Sequence, residues 1–153
     1  MHPPHVCRTH LKPAHARVCN ARSFRRTRGF GMELTSGKPL AGRKVLVLED
    51  ELIIAFALED MLADMGAEVV MAGTIEEARD RLAETAVSLA VLDVNLKGTK
   101  SYALADELAG RGVPLIFATG YGDSEHPPHL VGAATLTKPY NRTQLAEAIA
   151  AVG

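Results

Sequence analysis

The segment LAVLDVNLKG (Leu89–Gly98) decides the fold of this chain. It opens with four apolar residues, the composition of a strand that is buried on both faces in a parallel sheet. The apolar run ends in the carboxylate of Asp93 instead of a turn residue. An Asp at this place is either a cap for the following loop or a reactive group held at a sheet edge. Which of these two roles Asp93 has depends on the residues that the rest of the chain places beside it.

The pattern of the chain predicts five strands that alternate with helices. Predicted strands cover Lys44–Leu48, Glu68–Ala72, Ser88–Leu92, Pro114–Ala118 and Ala134–Leu136. Helical spacing and capping residues predict helices over Leu52–Met65, from Thr74 to about Glu84, from Ser101 to about Ala109 and from Asn141 to about Ala150. This alternation predicts an α/β fold with a doubly wound five-stranded parallel sheet and right-handed crossovers.

The length and composition of the chain fit one globular domain. The chain has 153 residues, of which 47% are hydrophobic, and this is enough for a sizeable core. No apolar run approaches a membrane span and no signal peptide is evident, so we expect no membrane association. Aromatic residues make up 5% and Trp is absent, which argues against a stacking platform for single-stranded nucleic acid.

Residues 1–38 are predicted to form a disordered basic tail, and 39–153 the folded domain. Residues 1–31 carry seven basic and no acidic residues, which leaves ten basic and eighteen acidic residues in the rest. The tail holds Cys7 and Cys19, but its spacing does not match zinc ligands. A zinc site, a basic arm for acidic partners and an inert extension remain open. Without a disulfide framework in the domain, a reducing cytoplasmic location is expected.

Polar side chains follow the ends of four predicted strands, where open α/β sheets bind their ligands. They are Glu49, Asp50, Asp93, Asn95, Thr119 and Lys138. Three carboxylates at one edge repel each other unless a cation lies between them, and few oxygen ligands suit Mg²⁺. Asp93 would then be the nucleophile that forms an aspartyl phosphate, with Thr119 and Lys138 binding the phosphoryl oxygens.

Three motifs resemble the receiver domain of two-component response regulators, over about residues 42–150. They are VLVLEDE with its acidic residues, LAVLDVNLKG with its Asp, and LTKPY with its Lys-Pro turn. The resemblance implies a flavodoxin-like fold. It also implies Mg²⁺ bound by Glu49, Asp50, Asp93 and the backbone carbonyl of Asn95. A histidine kinase or histidine phosphotransfer protein would donate the phosphoryl group to Asp93.

The same resemblance implies a signalling protein of the phosphorelay and not an enzyme with an independent substrate. Such a domain catalyses only its own phosphorylation and dephosphorylation. Because the domain fills the chain, we expect a single-domain regulator without an output module and without direct nucleic-acid contact. It would act as a phosphoryl relay, as a sink or as a phosphorylation-dependent binding switch.

The stretch PLIFATGYG (114–122) is similar to the signature of the FAT GUY single-domain receivers of α-proteobacteria, which favours a stress-signalling role. In receivers, the Thr hydroxyl, here Thr119, usually moves toward the phosphoryl group and an aromatic switch residue rotates inward behind it. That aromatic residue usually stands three positions before the Lys, where this chain has Thr135; Tyr121 is a partial substitute. The following loop is short and rich in Pro, so we expect the fourth helix to be shortened or absent. We expect the loop to reorder on phosphorylation; a merely permissive connection is the alternative. His126 and His129 in it are candidate metal ligands, but we expect them to be solvated.

Three other interpretations compete with the phosphorylated receiver. A haloacid-dehalogenase-like phosphatase also uses an Asp nucleophile, but its D-x-D motif belongs on the first strand. A transcription factor would need a further domain to read a groove. A receiver-like module that binds protein partners without being phosphorylated is the main alternative.

Overall fold

The buried strand that ends in Asp93 lies in the middle of the sheet. The computed structural model describes residues 37–120, 126–130 and 132–153. The main strands are β1 (Lys44–Leu48), β2 (Glu68–Ala72), β3 (Leu89–Asp93), β6 (Leu115–Thr119) and β7 (Ala134–Thr137), and a two-stranded hairpin is formed by β4 (Asn95–Leu96) and β5 (Thr99–Lys100). The helices are α1 (Leu52–Asp64), α2 (Ile75–Glu84), α3 (Tyr102–Gly110) and α4 (Arg142–Val152).

All neighbouring strands of the main sheet are parallel, in the order β2-β1-β3-β6-β7. The predicted doubly wound five-stranded sheet is therefore confirmed. The chain moves outward from β1 to β2 and then returns to the other side of β1 for β3. This reversal opens a crevice beyond the carboxyl ends of β1 and β3, where such folds place their ligands.

Strand β3 is apolar up to Asp93 because helices cover both faces of the sheet. Ala90 and Leu92 belong to a core cluster that includes residues of α2 and α3. Leu89 and Val91 face the opposite cluster, which is built with α1 and α4. The alternation explains why every residue of β3, including Asp93, is buried.

Two helices begin at the predicted caps. The Thr74 side chain accepts a hydrogen bond from the Glu77 N–H at 3.1 Å at the start of α2. Asn141 and Gln144 form a reciprocal capping box before α4, with distances of 3.0 Å and 2.9 Å. The sequence therefore located these starts from local hydrogen-bonding groups alone.

Several predicted boundaries were wrong by one or two residues. Strand β3 begins and ends one residue later than predicted, so Asp93 is its last residue and not the first residue after it. Strand β6 likewise reaches Thr119, because parallel pairing with β3 and β7 continues to the edge of the sheet. The hairpin β4–β5 was not predicted, since two-residue strands carry no periodic signal.

Between β6 and β7 the described residues form one 3₁₀ turn, Pro128–Leu130, where Leu130 is buried. Residues 121–125 and 131 lie outside the described part. In the residues that the structure describes, no α-helix lies between β6 and β7, as expected, and the fourth α-helix is the C-terminal α4. Most of the predicted tail, 1–36, also lies outside the described residues, so the tail stays a prediction. Among the described residues, no helix is both long and apolar enough to cross a membrane.

Gly66 and Gly110 should respond oppositely to the same substitution. Gly66 follows α1 with φ +93°, and an added Cβ would lie 2.6 Å from the Lys38 Cβ. Gly66→Ala should therefore lower the free energy of unfolding by about 1–2 kcal/mol. Gly110 lies within α3 with nothing within 4 Å of an added Cβ, so Gly110→Ala should raise it by up to about 1 kcal/mol. Urea unfolding checks both, and equal effects would contradict this account.

Candidate functional site

The carboxyl ends of β1, β3 and β6 hold three polar side chains that the fold has removed from water. Glu49 is 2% exposed, Asp93 is 7% exposed and Thr119 is 2% exposed. Asp50 is half-buried at the same edge. Burying ionisable groups is costly unless they are paired and hydrogen-bonded, so these residues require partners.

Lys138 is the partner of two of these carboxylates. Its Nζ donates to Glu49 Oε2 at 2.7 Å and to Asp93 Oδ2 at 2.8 Å. The Lys138 side chain is 16% exposed, so these ion pairs are much less screened than pairs on the surface. One ammonium group thus joins β1 and β3 to the residue that follows β7.

The backbone fixes the position of Lys138. Its N–H donates to the Thr119 carbonyl at 2.7 Å, which continues the β6–β7 pairing up to the site. Its peptide bond to Pro139 is cis. Leu136, two residues earlier, is buried in the core. The lysine therefore enters the site from an anchored strand.

The remaining oxygens of the two paired carboxylates accept backbone hydrogen bonds. Asp93 Oδ1 accepts from the Asn95 N–H at 3.0 Å, and Glu49 Oε1 accepts from the Glu51 N–H at 3.2 Å. Both carboxylates are consequently held at both oxygens. Such support fixes their direction, as a preorganised site requires.

Glu49, Asp50 and Asp93 can converge on one cation. A carboxylate oxygen of each lies within 4.8 Å of the others. All three are hard oxygen donors, and the half-buried Asp50 leaves one side of the cluster open to solvent. This donor set fits Mg²⁺, which uses few carboxylates and keeps several waters.

Burial and pairing shift three pKa values around the site. Burial raises the pKa of Glu49, against the lowering effect of Lys138. Burial lowers the pKa of Lys138, but the hydrogen bonds to Asp93 and Glu49 outweigh it, and the net shift is upward. Burial also raises the pKa of Tyr140 to about 12. The Lys138 ammonium therefore keeps its charge at neutral pH.

The structure brings together most of the residues that the sequence singled out. Glu49, Asp50, Asp93, Thr119 and Lys138 share one edge of the sheet, while their chemical roles stay predictions. Asn95 contributes a backbone N–H to Asp93, and metal binding by its carbonyl is likewise a prediction. Tyr121 lies outside the described residues.

The expectation that His126 is solvated was wrong. Its ring is partly buried and stacks on Phe117, with 4.5 Å between the ring centroids. Its Nε2 lies 2.8 Å from the hydroxyl of Thr135, the residue considered as a switch position. His129 is largely exposed and pairs with Asp106 at 2.7 Å. No periodic pattern marks His126 in the sequence, because its contacts depend on how the loop folds back.

Comparison with known proteins agrees with the predicted resemblance. The family model of the response regulator receiver domain matches residues 45–150. The response regulator protein FleR of Pseudomonas aeruginosa is 33% identical over 112 residues, which are 70% of this chain and 24% of FleR. The chain therefore spans about a quarter of the length of that relative.

Solved structures include relatives of similar size to the described domain. The solution structure of SdrG from Sphingomonas melonis Fr1 matches with TM-score 0.65 and 36% identity, over 72% of this chain and 95% of that chain. The BeF₃-activated conformation of SdrG, from Pseudomonas melonis Fr1, matches with TM-score 0.62 and 36% identity, over 72% of this chain and 96% of that one. The similarity to the single-domain receivers is thus confirmed.

Replacing Lys138 should destabilise the fold at neutral pH. Lys138→Met leaves two buried carboxylates without their ammonium partner, so we expect a loss of about 3 kcal/mol in the free energy of unfolding. Lys44→Met is the matched control: its pair with Glu68 at 3.2 Å is exposed, and its loss should cost less than about 1 kcal/mol. Chemical denaturation of both variants and the wild type measures the difference.

The loss of unfolding free energy in Lys138→Met, relative to the wild type, should become smaller as the pH falls. Lys138 lowers the pKa of Glu49, so its removal raises that pKa further above the unfolded value of 4.5. A folded state with the higher carboxyl pKa binds the proton first and gains stability relative to the unfolded chain on acidification. Denaturation from about pH 7.5 to about pH 5 checks this; a deficit that grows would contradict it.

Proposed function

The chain belongs to the response regulator receiver domain family, and we propose that it accepts a phosphoryl group on Asp93 in a two-component phosphorelay. The donor would be a histidine kinase or a histidine phosphotransfer protein. The observation that carries the proposal is the position of Asp93: the residue is buried, with Lys138 Nζ at 2.8 Å and two further carboxylates beside it. A simple cap for the next loop would need neither the lysine nor the other acids.

The transfer forms one bond and breaks one. A carboxylate oxygen of Asp93 attacks phosphorus while the bond from phosphorus to the donor imidazole nitrogen breaks and leaves its electron pair on that nitrogen. Lys138, 2.8 Å from Asp93 Oδ2, offsets negative charge on the phosphoryl oxygens. The Thr119 hydroxyl, at the end of the neighbouring strand, donates a hydrogen bond to one of them.

Glu49, Asp50, Asp93 and the Asn95 carbonyl would hold Mg²⁺. When bound, the ion stabilises the charge that develops on the phosphoryl oxygens. The chain contributes carboxylates whose directions are already fixed by the backbone N–H groups of Glu51 and Asn95. The oxygen-only donor set supports Mg²⁺ over softer metals.

A protein donor is supported by an apolar surface next to the site. Leu52, Ile53 and Phe56 at the start of α1 are 69%, 86% and 61% exposed. Helix α1 begins two residues after Asp50, so this surface borders the acidic edge. Clustered exposed apolar side chains are typical of protein interfaces, and a partner that covers them would bring its phosphoryl group close to Asp93.

The known relatives of this domain are signalling regulators and not enzymes with independent substrates. We propose the same for this chain, with catalysis limited to its own phosphorylation and dephosphorylation. A relay passes the phosphoryl group on, a sink hydrolyses it, and a binding switch uses it to select a target. All three uses depend on the same aspartyl phosphate. The cytoplasmic location of the protein stays a prediction.

Phosphorylation by a small phosphodonor tests the proposal directly. With Mg²⁺ and acetyl phosphate, the wild type should gain the mass of one phosphoryl group, because the site supplies nucleophile and charge stabilisation without help from a kinase. Asp93→Asn should gain nothing, and removal of Mg²⁺ by chelation should abolish the gain on the wild type. Intact-protein mass spectrometry measures all three.

A wild type that stays unmodified and fails to bind beryllofluoride would overturn the proposal. The non-phosphorylated protein-binding module would then be the better interpretation, with the α1 surface as its binding face. A gain that persists in Asp93→Asn would instead place the acceptor at another residue.

Mg²⁺ alone should stabilise the folded domain. A ligand that binds only the folded state at about ten times its Kd adds about 1.4 kcal/mol, so the melting temperature should rise with Mg²⁺ concentration. Glu49→Gln should lose most of this increase because it removes a charged ligand. Glu84→Gln, the same substitution at an exposed position at the end of α2, should retain it. An equal increase in both variants would contradict the assigned ligands.

A further inference from the structure

His126 joins three elements of the fold. Its ring stacks on Phe117 of β6, with centroids 4.5 Å apart and planes inclined by 27°. Its Nε2 lies 2.8 Å from the hydroxyl of Thr135 on β7. Its other side meets Tyr102, the first residue of α3, edge-on at 6.0 Å between centroids, with Nδ1 at 3.4 Å from the phenolic oxygen. A residue of the loop is thus built into the domain.

Two of these contacts lie on the strands that carry the site. Phe117 and Thr135 are paired in register, and the next pair on the same face is Thr119 with Thr137. Lys138 follows directly and donates its N–H to the Thr119 carbonyl. His126 therefore touches β6 and β7 two residues before the strands reach the acidic edge.

The third contact, with Tyr102, connects His126 to the segment that follows Asp93. Tyr102 follows Ser101, which is completely buried and whose N–H donates to the Val94 carbonyl at 3.1 Å. Val94 is the residue after Asp93. The elements that meet at His126 are consequently those that position the nucleophile, the hydroxyl and the ammonium of the site.

We propose that His126 is a positioning residue for the phosphoryl site, which holds the ends of β6 and β7 in the geometry that Thr119 and Lys138 need. This inference rests on the proposed phosphorylation of Asp93. A site whose groups are held in place before binding loses less entropy when the ligand arrives. Coupling between sites is reciprocal, so we expect the charge that binds at the acidic edge to act on His126, which contacts β6 and β7 two residues before that edge.

The chemistry of the imidazole suits this role. Burial lowers the pKa of His126, so the ring is neutral at neutral pH and can pack on Phe117 as an aromatic group. Both of its nitrogen partners are hydroxyls, which can donate or accept, so either neutral tautomer satisfies them. His129, in the same segment, pairs with Asp106 at the surface and provides a natural control.

The first experiment uses the wild-type protein with Mg²⁺ and beryllofluoride, a stable mimic of the phosphoryl group. NMR of the side-chain imidazoles should show the His126 resonances shifting when beryllofluoride saturates the protein, while those of His129 stay nearly unchanged. This measurement needs no variant and so does not depend on whether a substitution folds.

The second experiment separates positioning from stability. His126→Phe keeps a ring on Phe117 but removes the contact with Thr135, so we expect unchanged urea stability and beryllofluoride binding weakened about fivefold or more. Thr135→Val removes the same contact from the other side and should weaken binding similarly, whereas Thr135→Ser should restore it. His129→Gln should bind like the wild type.

The outcomes distinguish the two proposals. If the wild type binds beryllofluoride but the His126 resonances stay fixed and both His126→Phe and Thr135→Val bind normally, positioning by His126 is overturned and phosphorylation of Asp93 stands. If binding weakens only in proportion to lost stability, the role of His126 is structural and the inference is also overturned. A wild type that does not bind beryllofluoride overturns both proposals.

Discussion

The ammonium group of Lys138 lies between two carboxylates that the fold has buried, and the arrangement of the site depends on it. Glu49 directly follows β1 and Asp93 ends the neighbouring strand β3; without a cation they would repel each other or take up protons. The ammonium comes from the far side of the sheet, beyond β7, at 2.7 Å and 2.8 Å from the two acids. Through these ion pairs and its backbone hydrogen bond to Thr119, Lys138 connects the carboxyl ends of β1, β3, β6 and β7.

The strand order makes this contact possible. Because β1 and β3 are adjacent while the chain between them runs out to β2, their carboxyl ends open into a crevice. Both faces of β3 are packed against helices, so Asp93 has only the strand end through which to meet solvent and partners. The helices that bury the apolar residues Leu89–Leu92 therefore leave the carboxyl end of β3 as the side from which a partner reaches Asp93.

Much of this could be predicted from the sequence because it depends on local signals. Apolar runs and capping groups such as Asn141 with Gln144 mark the elements, and the position of Asp93 and Lys138 at strand ends follows from parallel pairing. Other features depend on long-range contacts that no short pattern encodes. The hairpin after Asp93 has two-residue strands, and His126 gains its place only when the loop folds back onto Phe117 and Thr135. Because these contacts are long-range, the loop sequence around His126 predicted a solvated side chain.

The charges at the acidic edge also favour one order of events in the proposed phosphorylation. Three carboxylates and one ammonium, when all are ionised, leave two negative charges at the edge, which repel an approaching phosphoryl group. A divalent cation balances them, so the phosphoryl group would meet a neutral site instead of an anionic one. Burial raises the pKa of Glu49, and the Lys138 ammonium and the Glu51 N–H act against this increase. Lys138 supplies one cationic partner in the structure; under the proposed function, the divalent cation would be the second and would bind before the phosphoryl group.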